Sequence, residues 1–236
     1  ILWAMNASAG LSAQLAEPFM VAQADYSSLL LPIGLTTVAI ALYWLRFRVP
    51  FAMALIALGV FALSLMMGAI RMGTPANVSD FFLLSASGPF AWITLLVGLV
   101  VFAVAMFFDM SDPHRVTRRS AQGFWLHVVA APALVNTLAL SLLESGTGNA
   151  YLLLLAVLLL FAAVAIIIDR RSFLIAAIAY SVTLAGTVFG GDGAATTVLV
   201  LGIFLVTLGA FWTPIRAALL SPLARVLPLD RLPPSH

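Results

Sequence analysis

The side chains able to do chemistry concentrate in one apolar stretch. Residues 121–143 carry Gln122, His127, Asn136, Thr137 and Ser141, together with Pro132. Polar groups without partners are costly in hydrocarbon, so a helix of this content must face other helices rather than lipid. Three chemistries are open to His127: axial ligation of a haem or chlorophyll metal, a proton relay, or a bond from a neutral imidazole to a neighbouring helix. A metal held by protein alone wants three or four ligands, and the chain has no Cys and no second His or carboxylate within its apolar stretches. The interhelical bond is therefore the expected use, and neither a metal nor another cofactor is predicted. Asn136 lies nine residues beyond His127, about half a turn away, so the two share a face only if Pro132 bends the axis. His127, Asn136 and Thr137 are the side chains that would line a solute path.

Basic chemistry is confined to arginine, because the chain has no Lys, which excludes a Schiff-base mechanism. Asp112 and Pro113 read as a cap and a first-turn proline, predicting a helix over 113–120. That helix would place Arg115, Arg118 and Arg119 on one face, where they could hold a lipid phosphate or serve only as a topology signal. Glu144 has no second acid close in sequence to form a catalytic pair. Ser87-Gly88 and Ser145-Gly146 are not nucleophile elbows, and the turn Gly190-Gly191-Asp192-Gly193 lacks the Lys of a phosphate loop. The sequons at Asn6 and Asn77 are matches of a kind that chance supplies.

The elements that position these residues follow from composition. The 236 residues are 63% hydrophobic and 8% charged, with net charge +2. A water-soluble domain could not bury so much apolar surface, and the small, dispersed charge excludes nucleic acid as a partner. Apolar runs of roughly 17 to 25 residues, enough to cross ~30 Å of hydrocarbon, define seven transmembrane helices in an all-α fold. They are 29–45, 51–70, 89–108, 121–143, 150–168, 172–190 and 195–213, none containing Asp, Glu or Arg.

Ten of the eleven arginines fall after the first, third, fifth and seventh spans, and only Arg71 lies on the other side. Basic loops are retained in the cytoplasm, so the N-terminus is expected outside and the C-terminus inside a bacterial inner membrane. Trp44, Trp92, Trp125 and Trp212 stand near span ends, as headgroup anchors do. Residues 1–28 read as an outer-face segment, and 71–88 as a loop whose Phe81 to Leu84 rest on the membrane. Residues 214–236 read as a cytoplasmic interfacial tail of two short helices joined at Ser221-Pro222. The fifth span is the expected lipid-facing wall.

Two internal echoes relate spans 1–3 to spans 5–7. Arg48-Val-Pro-Phe-Ala-Met-Ala-Leu-Ile-Ala-Leu matches Arg171-Ser-Phe-Leu-Ile-Ala-Ala-Ile-Ala-Tyr with one gap, and Thr94-Leu-Leu-Val-Gly matches Thr197-Val-Leu-Val-Leu-Gly. With the fourth span as link this gives a parallel three-plus-one-plus-three repeat, the layout of the SWEET sugar transporters without their Pro-Gln signature.

Arg46-Phe-Arg-Val-Pro, Phe108-Asp-Met-Ser-Asp-Pro-His-Arg-Val-Thr-Arg-Arg-Ser and Phe124-Trp-Leu-His-Val-Val-Ala-Ala-Pro together resemble the C-terminal membrane region of a family of uncharacterised polytopic bacterial proteins, mostly alphaproteobacterial. The resemblance covers about a quarter of the chain and implies a location without an activity. That family carries further sequence ahead of this region, which a chain starting at Ile1 would fit.

The expected role is non-enzymatic: a scaffold or accessory subunit among membrane lipids and other membrane subunits. Close approach of its helices, to one another or to a partner, is expected at Gly59, Ala62, Ala163, Ala176 and Ala179. A small-solute transporter is the alternative, followed by a pigment or haem binder through His127.

Overall fold

The computed structural model of the protein describes residues 27–73, 78–84, 89–145, 149–169, 199, 202–203, 206–207 and 209–223. Among them all long elements are helical. They are α1 Ser27–Phe47, α2 Ala52–Met72, α3 Phe90–Met110, α4 Arg118–Glu144, α5 Ala150–Ile167 and α6 Trp212–Leu223, with a 3-10 turn at Val78–Phe81. Helices α1 to α4 are long and apolar enough to cross a membrane. At ~1.5 Å per residue each reaches about 30 Å or more. The sixth span, most of the seventh, the outer-face segment through residue 26, Ala176, Ala179 and the tail beyond Leu223 lie outside the described residues, so the repeat does too.

Helices pack in chain order, α1 on α2, α2 on α3 and α4, α3 most extensively on α4, and α4 on α5. Small residues make the tight crossings. A side chain at Gly59 would strike Thr37 on α1, so this glycine is used inside the bundle. Helix α5 turns Leu152, Leu155 and Leu159 outward and buries Leu154 and Leu158 against Val135 and Ala139 of α4. Its outward face is apolar. Helix α1 exposes Leu31, Leu35, Val38, Leu42 and Leu45, a stripe with alternating four- and three-residue spacing.

Arginine-bearing ends of separate helices meet. Arg118 donates to the carbonyl of Phe47 at 3.3 Å, Phe51 stands edge-on to Trp125, and Arg115 reaches Asp169. Arg48, Arg115 and Asp169 turn the chain there with φ of 54°, 55° and 55°, a left-handed conformation unusual for residues other than Gly.

Three expectations about this end change. Helix α3 runs through Asp109 to Met110, so a carboxylate does lie within a spanning helix. Trimming an apolar run at its first charge hides this, because hydropathy carries no information about a partner on another helix. Residues 113–117 are not helical: α4 begins at Arg118 behind Thr117, whose hydroxyl accepts from Arg119 N–H. Asp112 instead folds the linker back, its carboxylate accepting from the backbone of Val116, Thr117 and Ser120 and from the Thr117 hydroxyl. Finally, Ser221 and Pro222 lie within α6, whose described residues end at Leu223, and Trp212 and Arg216 are buried.

Candidate functional site

Two polar regions occupy opposite halves of the bundle. In the half nearer the arginine-bearing end, His127 is 0% exposed and its Nε2 lies 2.9 Å from Asp109 Oδ2. The ring stands edge-on to Phe102, 5.5 Å between centroids. Gly123, one turn before His127 on α4, makes room for the pair: a Cβ there would strike the Asp109 carboxylate and come within 3.2 Å of the Ala105 carbonyl. A carboxylate and an imidazole could serve as a general base, but full burial leaves no room for a reacting molecule. The arrangement is a bond between α3 and α4, the interhelical use expected of His127 with a partner that the sequence reading placed outside the membrane. Burying such a pair gains little over apolar packing, whereas deleting one member costs about 3–5 kcal/mol.

A second clamp closes α5. The last carbonyls of a helix lack intrahelical donors and carry partial negative charge, which cations satisfy. Arg216, 2% exposed, donates to the carbonyls of Ile166 at 3.0 Å and Ile167 at 3.3 Å. Arg115 donates to those of Ile168 and Asp169, and its guanidinium lies 2.8 Å from the Asp169 carboxylate. Trp212 donates its indole N–H to the same carboxylate at 2.6 Å. Burial pulls the Arg216 guanidinium below its ordinary value, against the opposing effect of Asp169. Asp112 shows the reverse balance: burial raises its carboxyl, but the donors of Thr117, Ser120 and Val116 prevail and hold it below the ordinary carboxylate value.

The arginine trio predicted to share a helix face is thus divided. Arg115 sits in the turn on Asp169, Arg118 on the Phe47 carbonyl, and Arg119 is exposed at the start of α4. Trp44 is a local exception to the bonding: its buried Nε1 has no hydrogen-bond partner among the described residues, while Arg48 covers its ring at 4.6 Å.

The other half contains a cavity of about 460 Å³ between α2, α3, α4 and the segment after α2. Its walls include Leu58, Phe61, Leu65 and Met66 of α2, Thr94 of α3, and Pro132 and Asn136 of α4. Phe81 and Phe82 complete the lining. They belong to the segment expected to rest on the membrane, which instead packs on the bundle: Ser141 donates to the Phe82 carbonyl at 3.1 Å and accepts from Leu84 N–H at 2.9 Å. Thr94 is 3% exposed and its hydroxyl has no partner among the described residues. An unsatisfied buried hydroxyl costs about 1–3 kcal/mol.

Of the polar residues singled out in α4, only Asn136 reaches the cavity. Thr137 is fully buried and donates to the Ala133 carbonyl at 2.7 Å, and His127 belongs to the Asp109 pair. Glu144 is exposed. Among the described residues no group of three or more His, Asp or Glu could hold a metal. Asp109, Arg216 and Thr94 escaped sequence reasoning because the partner, or its lack, is set by packing. Asp109 alone left a trace, as an acid one residue beyond an apolar run.

Comparison with models of known families, with curated proteins and with solved structures finds no match.

Proposed function

We propose that the protein is a non-enzymatic scaffold or accessory subunit of a bacterial inner membrane, crossing it seven times with its arginine-rich loops in the cytoplasm. One observation carries the reading. The buried groups His127 with Asp109, and Arg216 with the end of α5, are spent on joining helices to each other. The exposed α1 stripe from Leu31 to Leu45 supplies a regular surface for a partner helix, a role for which Gly59, already against Thr37, is not free. Purification from native membranes in mild detergent should return the chain with a stoichiometric membrane partner. A lone monomer would overturn the reading. Because the chain has no Cys, Arg119→Cys and Ser145→Cys report orientation cleanly, and each should react with a membrane-impermeant thiol reagent from opposite compartments.

A small-solute transporter is the second reading, favoured by the cavity at Asn136. It requires proteoliposome uptake of an uncharged solute that Asn136→Leu abolishes.

A further inference from the structure

The cavity wall holds a hydroxyl that the fold leaves unused. Thr37, Thr137 and Thr207 each donate to the carbonyl four residues back, at 2.8, 2.7 and 2.8 Å. Such back-bonding is the ordinary way for a helical threonine to satisfy itself in an apolar setting. Thr94 lies in α3 with Phe90 four residues behind it, yet its buried Oγ1 has no partner among the described residues. Thr94 lines the cavity together with Asn136 from the facing helix; its oxygen is shielded in this rotamer, and rotation about χ1 is the step that presents it to a ligand. An amide offers both donors and an acceptor, and a hydroxyl can do either, so the pair can bond an oxygen of either kind.

The remaining walls set the rest of the ligand. No charged side chain is among the lining residues, so an anionic or cationic head would be buried without a counter-charge. Phe61, Leu65 and Met66 offer an apolar bed. Leu58 and Pro132 both line the cavity and are exposed, which opens it sideways from the bundle, toward hydrocarbon rather than water. The volume of about 460 Å³ equals that of roughly fifteen waters, and suits an aliphatic molecule with a comparable number of non-hydrogen atoms.

We propose that this cavity is a binding site for an uncharged, lipid-soluble molecule with a hydroxyl or carbonyl head, entering from the membrane and bonding its oxygen to Thr94 and Asn136. The site does not depend on the scaffold reading, since a subunit or a transporter could carry it.

Three photoreactive probes of equal chain length test it on the full chain in lipid nanodiscs: a diazirine-bearing dodecanol, the matching carboxylate and the matching alkane. The alcohol should label peptides from 58–69 and 129–136 at least about fivefold more than the other two, and unlabelled dodecanol should compete. Thr94→Val, which keeps the shape and removes the hydroxyl, should reduce labelling toward the alkane level, and Thr94→Ser should preserve it. Ala62→Leu, which narrows the cavity from α2, should reduce labelling by every probe and serves if Thr94→Val fails to fold. Equal labelling by alcohol and alkane, or labelling by the alcohol unchanged in Thr94→Val, would overturn the proposal and leave a cleft filled by bulk acyl chains.

Discussion

The two halves of the bundle treat buried polar groups in opposite ways. Toward the arginine-bearing end, a carboxylate and an imidazole from different helices meet at 2.9 Å, and a buried guanidinium caps the last carbonyls of α5. Toward the other end, a buried threonine hydroxyl stands beside 460 Å³ of space. The first half holds helices in register; the second leaves a hydroxyl unbonded. The difference lies in which groups find partners.

The sharpest way to break this contrast is Asp109→Leu. Leaving His127 buried without its carboxylate should cost about 3–5 kcal/mol, read as a lowered thermal midpoint in detergent. The double variant Asp109→Leu with His127→Leu should regain most of that loss. If single and double variants unfolded alike, the pair would not be the clamp. Arg216→Met should cost about 1.5–3 kcal/mol by leaving two α5 carbonyls without a charged donor, seen first as faster hydrogen exchange at 164–169.

Asp112→Ala should cost about 1 kcal/mol at neutral pH through loss of its cap-like bonds. The sign of its pH dependence is fixed. A carboxyl held below its ordinary value in the fold stabilises above the unfolded value, and that contribution fades as pH falls through the folded one. Wild type and Asp112→Ala should therefore converge in acid, and a gap that widened there would refute the bonding described. Smallest is Thr94→Val. Removing an unsatisfied hydroxyl should leave stability unchanged or raise it by up to ~1 kcal/mol, opposite in sign to every change at the clamped end. A clear loss would mean that the hydroxyl has a structural partner.

Much of the fold is legible in the order of residues. Expected spans at 29–45, 51–70, 89–108 and 121–143 match α1 to α4, the helices long and apolar enough to cross a membrane, within a few residues at each end, and 150–168 matches the shorter apolar helix α5. The inward turn of α4 follows from its polar content. Pairing was not legible. Asp109 and His127 are eighteen residues apart in sequence, Asp169 and Trp212 forty-three, and nothing local marks them as neighbours. The proline of Asp112-Pro113 suggested a helix start, but the carboxylate bonds forward as far as Ser120 and holds the intervening residues in a turn. Asn136 was singled out and does face open space, while Thr94 passed as one apolar-helix threonine among several. Only the missing back-bond distinguishes it.

The cap on α5 also imposes an order of assembly. Arg216 is translated about fifty residues after the carbonyls it satisfies, so the end of α5 stays without this donor until α6 has been made. A polypeptide stopped short of Trp212 would leave those carbonyls open.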